Sequence, residues 1–500
     1  MTVINRSMFP VQSGMSLVSR MQDRFANLQT QLATGQKATN LAEMGDDRHL
    51  SLSMRARISR IEGYQNSLSM VNMRLKVFDT VVQRLDKVES TARAAMTPSS
   101  YGSSNANFGT APSLARSQLD EIVNLLNTDV DGRYLFSGAT VDKRPVESVS
   151  ALLDGAGGKA GFKQVAAERL VADKGDDGMG RLDLTSTGST VTLSEDGAHP
   201  FGLKLVPATS TGSFATFTQP TGTPPNTLTV DFSTQPLEGD SVSVSFTLPD
   251  GTQETVKLTA TAGTPAAGQF QIGADTDSTA ANFSAALGTA VGKLVNTEMT
   301  AASGFAAADN FFNGHGEPVL RVQGPDLANA TALVTADPTT TVLWYKGEDS
   351  DNPRASVRAK IDDAATINYG AQANESGPLA LIRSLAVVSI QSFTVADSTA
   401  EGRFDAVANR NFSRLSESHN SEGGSIELIA AELGNSQANA AAIKDRQTSY
   451  KSQLSGMLSD LESSSDEEVA MELLAIQTKL QASYQAISLI SQLSLVNYLK

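Results

Sequence analysis

The feature that most constrains this chain is where its prolines are. Of 17 Pro, none falls between Pro10 and Pro98 and none after Pro378, while 14 lie from Pro145 to Pro378. A proline inside a helix costs about 3 kcal/mol, so two long proline-free ends around a proline-rich middle predict helical ends and a non-helical centre. At roughly 100–200 residues per domain, a chain of 500 residues holds two to four domains.

Both ends carry apolar residues at 3-4 spacing, the signature of a helix with one continuous seam. At the start these are Met15, Val18, Met21, Phe25, Leu28 and Leu32. A second run is longer: Ile61, Tyr64, Leu68, Val71, Leu75, Phe78, Val82 and Leu85. Between them, residues 34–49 are rich in Gly, Asn and Asp and read as a turn or irregular link. Near the other end Leu454, Leu458 and Leu461 close one helical stretch. Residues 463–468 (SSSDEE) offer caps and acidic residues suited to a helix start. Leu473, Ile476, Leu480, Ser483, Ile487 and Ile490 then continue a mostly apolar stripe. Residues 1–100 carry a net charge of +5 and residues 401–500 a net charge of −5. Opposite charges beside apolar seams favour pairing of the two ends with each other.

The middle, residues 141–374, is rich in Thr, Gly, Ser and Pro and alternates with period two. Leu228, Val230 and Phe232 alternate with polar residues, as do Val242, Val244, Phe246 and Leu248. Pro249-Asp250-Gly251 follows, then Val256 and Leu258, which reads as strand, turn, strand. Leu182/Leu184, Val191/Leu193, Leu203/Leu205 and Leu320/Val322 add strands, and residues 277–297 read as a helix with Phe283, Leu287, Val291 and Leu294 on one face. The fold class expected is α+β multidomain. Long terminal helices from both chain ends form coiled-coil or bundle layers, with a central, mainly β insert of one or two subdomains.

Composition removes several functions. There is no Cys, which excludes disulfide frameworks, thiolate catalysis and Cys-based metal sites. A net charge of −15 fits nucleic acid poorly. No run of about 18 apolar residues offers a membrane span, and the N-terminus has no apolar signal-peptide core. The chain is therefore expected either to stay in the cytoplasm or to be exported uncleaved.

Motifs that would carry chemistry fail on inspection. Gly155 to Gly161 (GAGGKAG) lacks the phosphate-loop spacing, because Leu153 stands where the first Gly belongs and Ala160 where a hydroxyl belongs. Asn127, Asp129, Asp131 and Gly132 open like a calcium loop, but Gly138 occupies the position that needs a bidentate Glu. The four His, at 49, 199, 315 and 419, have no partner at ligand spacing. Asp46/Asp47 and Asp362/Asp363 are neighbours of the kind common in turns. Trp344 and Tyr345 read as a buried anchor rather than a carbohydrate platform. No catalytic, cofactor or metal site is expected.

Three stretches resemble the bacterial flagellin superfamily, and within it the hook–filament junction proteins rather than filament flagellins. The first is Leu28-Gln-Thr-Gln-Leu-Ala-Thr-Gly35-Gln-Lys37, leading to Asp46-Asp47; Arg48 follows where the family usually has Pro. The second runs from Leu125-Leu-Asn127 through Gly132-Arg-Tyr-Leu-Phe136-Ser-Gly138. The third and most specific is the tail, from Leu480-Gln-Ala-Ser-Tyr484 to Ser491-Gln-Leu-Ser-Leu495-Val-Asn497-Tyr-Leu499. The resemblance covers about 1–140 and 375–500. It implies terminal helices lining an axial channel, a helical layer around them and an outward β domain. It also implies export without cleavage through a type III apparatus to an extracellular flagellum.

The expected division is residues 1–45 with 465–500 as an inner assembly domain, 46–140 with 375–464 as a helical bundle, and 141–374 as a variable outer domain. The assembly interface expected is Met15, Val18, Met21, Phe25, Leu28, Leu32, Leu473, Ile476, Leu480, Ile487 and Ile490. The bundle core expected is Ile61, Leu68, Val71, Leu75, Phe78, Val82 and Leu85. Partners expected are copies of the chain itself, a hook-side junction protein, filament flagellin and an export chaperone, with no nucleic acid and no membrane insertion. A bulk filament flagellin and, in a different class, a surface adhesin working through the central domain remain open.

Overall fold

The computed structural model describes residues 9–101, 106–314 and 317–498. The chain begins with α1 (Phe9–Thr34), α2 (Asp47–Ala95) and α3 (Ala106–Leu126), then the short pair β1 (Asp129–Val130) and β2 (Arg133–Tyr134), α4 (Val149–Asp154) and α5 (Phe162–Lys174). The strand-rich stretch holds β3 (Leu182–Thr187), β4 (Thr190–Glu195), β5 (Lys204–Ser210), β6 (Ala215–Thr218), β7 (Thr227–Phe232), β8 (Ser241–Thr247), β9 (Gln253–Thr261) and β10 (Gln269–Gln271). After α6 (Thr276–Leu294) and α7 (Thr300–Phe311) come β11 (Leu320–Val322), β12 (Leu333–Thr335), α8 (Pro353–Ser356), β13 (Arg358–Lys360) and β14 (Thr366–Asn368). The chain returns through α9 (Ser376–Ser389), α10 (Ala400–Arg414), α11 (Ile426–Glu462) and α12 (Asp466–Tyr498). Long terminal helices around a strand-rich centre make this an α+β multidomain chain, as the proline distribution predicts.

Contacts divide the chain into two units, the division falling inside α2 and α11. The first comprises Met1–Val71, Ala359–Thr366 and Ala438–Lys500. In it α1 packs along α12, burying Val18, Leu28, Val469, Ile476 and Leu480 as one apolar cluster. Gly35 ends α1 at φ +67°, donating its N–H to the Gln31 carbonyl at 2.7 Å, a left-handed cap that any Cβ would strain. Ser465 starts α12: its hydroxyl accepts the Glu468 N–H at 3.4 Å, and Asp466, Glu467 and Glu468 sit in the first turn, where negative charge suits the helix dipole. The two helix breaks are tied to each other. Lys37 N–H donates to the Glu462 carbonyl at 2.8 Å and Ser464 N–H to the Gly35 carbonyl at 3.0 Å.

The second unit comprises Asn72–Arg358 and Ile367–Gln437. Two four-stranded sheets, ordered β3-β4-β7-β6 and β10-β9-β8-β5, share one buried cluster with α6. In the hairpin read from the sequence, Val242 faces Leu258, Val244 faces Val256 and Phe246 faces Glu254 across β8 and β9. Gly251, at φ +82°, makes the turn. β10 joins β9 in parallel.

One expected boundary moves. The helix read over 277–297 leaves α6 at Leu294, passes a π turn at Val295–Met299 and continues as α7 to Phe311. The continuation is small and buried on all sides, with Ala301, Ala302, Phe305, Ala307 and Ala308 all inside. It therefore carries no one-sided stripe for periodicity to find. Trp344 is buried, its Nε1–H donating to the Asn313 carbonyl at 3.1 Å, and Phe312 meets its ring edge-on.

Candidate assembly surface

The α1–α12 pair is two-sided. Inward, Val18, Leu28, Ile476 and Leu480 are buried, and Met21, Phe25, Leu473 and Ile487 pack partly buried against them. Gly14 brings the α1 backbone close enough to Ile487 that an added Cβ would stand 3.5 Å from it. Outward, Met15 is 64% exposed, Leu32 43% and Ile490 42%. The expected interface residues thus separate into a seam that the chain closes on itself and three apolar side chains that face away from it.

Sequence reasoning missed further outward residues. Leu17, Met471, Leu474, Tyr484 and Leu489 are all exposed. The signal was present: α12 carries apolar residues beyond its first stripe, and a helix apolar on two faces has two surfaces to cover. Polar contacts set the register. Arg24 grips Glu472 with both carboxylate oxygens in reach, at 2.9 and 3.2 Å, and the Gln22 side-chain amide donates to the Tyr484 hydroxyl at 2.6 Å. Exposed pairs of this kind contribute at most about 1 kcal/mol and mainly select alignment. Beside them runs a groove of about 680 Å³ whose walls include Leu17, Met21, Arg24, Glu472, Ile476 and Lys479.

Below the helix breaks the same unit is locked by Glu462. It accepts from Ser51 at 2.5 Å and from Arg55 at 2.6 Å. The Arg55 hydrogen bond holds the Glu462 carboxyl below its usual range, against a smaller opposing effect of burial. The hairpin tip between β13 and β14 is held in this unit too. Tyr64 donates to Asp363 at 2.8 Å, Arg446 reaches Asp362 at 3.1 Å, and the Gln447 amide donates to the Ile361 carbonyl at 2.5 Å.

The seam expected as bundle core is buried along its length. Ile61, Leu68, Val71, Leu75, Phe78, Val82 and Leu85 are each 8% exposed or less. Phe78 meets Phe136 edge-on at 5.2 Å between ring centroids. Phe136 belongs to the GRYLFSG stretch, so that stretch serves packing.

The rejected motifs have structural explanations. Asp131 at φ +57° and Gly132 at φ +69° form the two-residue turn between β1 and β2, and Asp129 is occupied accepting the Gly132 N–H. The GAGGKAG loop folds on itself: a Cβ at Gly155 would stand 2.3 Å from the Lys159 carbonyl oxygen, and the Lys159 amine donates to the Pro338 carbonyl at 2.9 Å. Its amides enclose backbone and leave no cradle. His199 is 9% exposed, with Nε2 against Asp196 at 2.5 Å and Nδ1 accepting the Phe201 N–H. Burial lowers its pKa more than Asp196 raises it. His419 is exposed beside Glu422. His315 lies outside the described residues. Among the described residues no cluster of three or more His, Asp or Glu is arranged to hold a metal ion.

Residues 6–140 match the bacterial flagellin N-terminal helical region. That span contains α1, the loop to α2, α2, α3 and the β1–β2 turn, which are the elements described above. The match makes this end of the chain similar to the N-terminal helical region of bacterial flagellins. No curated protein matches the chain. No helix among the described residues is long and apolar enough to cross a membrane.

Proposed function

We propose that the chain is a non-enzymatic subunit joining the hook to the filament of a bacterial flagellum, of the hook-associated protein 3 kind. The observation that carries an assembly role is the α1–α12 pair, which closes one apolar seam and still presents Met15, Leu17, Leu32, Met471, Leu474 and Ile490 outward. Each such side chain, once covered by a neighbour, contributes roughly 1.5–3 kcal/mol before the cost of ordering. Head-to-tail contacts between identical copies give an open, helical assembly, which is the geometry of a tube. The GRYLFSG stretch and the tail favour the junction role over bulk filament. The proposed partners are copies of the chain, a hook-side neighbour, filament flagellin and an export chaperone, reached by uncleaved type III export. The division into inner, bundle and outer domains given above is part of this reading.

The test is immunogold electron microscopy of isolated flagella with antibody against residues 141–374. Gold confined to a short zone beyond the hook is the expected result. Gold along the whole length makes the chain a filament flagellin. Absence from flagella, with the epitope shown accessible, returns the adhesin reading.

A further inference from the structure

In the second unit β9 is longer than the strand beside it. β10 pairs with β9 only at Thr259, Ala260 and Thr261. Residues 262–268 loop out first, and Gly268, at φ +79°, turns the chain into β10. The ladder shows where the uncovered edge points. Ala260 N–H donates to the Asp240 carbonyl at 2.7 Å and Leu248 N–H to the Thr252 carbonyl at 2.8 Å. Even-numbered residues along β9 therefore turn their backbone groups toward β8. Odd-numbered residues turn theirs away: Thr259 N–H donates to the Gly268 carbonyl at 3.0 Å, and the Thr261 carbonyl accepts from Ile272 at 2.9 Å. The N–H and C=O groups of Thr255 and Lys257 face the same way, with no strand beside them among the described residues.

A groove of about 740 Å³ lies along that edge. Its walls are residues 256–258 of β9, β10 with the loop before it, and α6. On the α6 side Ala285, Ala286, Thr289 and Ala290 are small, which leaves the room. The charged residues of the walls are Lys257 and Lys293, both exposed and with no hydrogen bond or ion pair among the described residues. Val256 and Leu258 join the apolar core with α6, so strand alternation puts the Lys257 side chain on the opposite face of the sheet. A strand added here would set its side chains alternately toward α6 and beside Lys257.

We propose that this edge takes up an extended segment of another protein as a further strand, one in which acidic residues alternate with apolar ones. The backbone groups of Thr255 and Lys257 supply the ladder, the apolar residues face α6, and the acidic residues answer Lys257 and Lys293. Charge disfavours a second copy joined β9 to β9, because that pairing brings two Lys257 side chains together. Nothing here rests on the hook–filament reading.

The probe is a labelled Val-Glu-Val-Glu-Val peptide, followed by fluorescence anisotropy with the full chain. Saturable binding with a Kd at or below the millimolar range is expected, and Val-Lys-Val-Lys-Val should bind at least about 10-fold more weakly. Lys257→Glu with Lys293→Glu, both at exposed positions, should weaken the acidic peptide about 10-fold. Ala285→Phe, exposed on the α6 wall, should block it. Lys143→Glu with Lys163→Glu, exposed elsewhere in the same unit, should change little. Strand addition has its own signature. N-methylation of one alternating set of peptide residues should abolish binding, and N-methylation of the other set should leave it. No saturable binding, equal binding of the Lys peptide, equal sensitivity to both N-methyl sets, or a control pair as damaging as Lys257→Glu with Lys293→Glu would overturn the proposal. Sedimentation in which the peptide breaks up self-association would overturn it too, by assigning the edge to a second copy.

Discussion

Arg410 should be a costly single charge to remove from the second unit. Its guanidinium is 8% exposed and bridges Asp250 at 2.7 Å and Glu298 at 2.6 Å, with a further bond to Thr252 at 3.1 Å. Asp250 and Thr252 form the tip of the β8–β9 hairpin, Glu298 lies in the π turn, and Arg410 is on α10. The Asp250 side chain is only 1% exposed. Arg410→Met keeps most of the volume and leaves Asp250 buried without its counter-ion. Breaking one side of a buried pair costs about 3–5 kcal/mol. The unit is large, so the melting transition should fall by roughly 5–10 °C, read by the emission of Trp344. Burial raises the Asp250 carboxyl, but Arg410 and Thr252 together outweigh it and hold it below its usual value. In the parent chain this contribution is present above the unfolded carboxyl pKa and is lost as pH falls through the lowered folded value. In Arg410→Met burial is opposed only by the two Thr252 hydrogen bonds, so the carboxyl rises relative to the parent chain and the variant's deficit should shrink in acid. Asp250→Asn combined with Arg410→Met should recover part of the loss at neutral pH. A shift below the equivalent of 1 kcal/mol, or a double variant no better than Arg410→Met, would refute the buried-pair reasoning.

Leu480→Asp places a carboxylate in the α1–α12 seam and should abolish polymerisation while leaving the Trp344 transition unmoved, checked by sedimentation and by thermal melting. Glu89→Gln should raise the transition at pH 8 and have little effect at pH 4.5. Its folded pKa of about 7 lies above the unfolded value, so ionisation in the folded chain, opposed first by burial and then by Glu427 and Asp86 and favoured by Arg93 and His419, is destabilising only at the higher pH. Trp344→Phe removes the donor to Asn313 and should cost about 1–3 kcal/mol for the stranded carbonyl alone, measured by circular dichroism melting.

The elements that periodicity revealed are those with one dry face and one wet face. β8 and β9 alternate so cleanly that the hairpin pairing of Val242 with Leu258 follows from the residues and the turn. The seam from Ile61 to Leu85 is dry on one side for seven turns of helix for the same reason. α4, α5 and α7 went unread because they are short, flanked by glycine or buried all round. The clamp at Arg410 was not legible at all. Asp250 and Arg410 are far apart in sequence, and nothing local marks them as partners. The sequence showed Asp250 as a turn residue, which it is, but gave no sign that its carboxylate is also a buried counter-ion.

The bridge between the two helix breaks has a mechanical consequence. On one side of it the chain crosses from α11 to α12 in three residues, 463–465, and on the other it crosses from α1 to α2 in twelve, 35–46. Backbone bonds at Lys37 and Ser464 fasten the short crossing to the start of the long one. The short crossing is thus the pivot and the long one the slack. Any bend of the terminal pair would turn about Ser463–Ser465, with residues 38–46 as the longer path that takes up the difference. Lengthening the 38–46 side would leave that pivot in place; lengthening 463–465 would remove it.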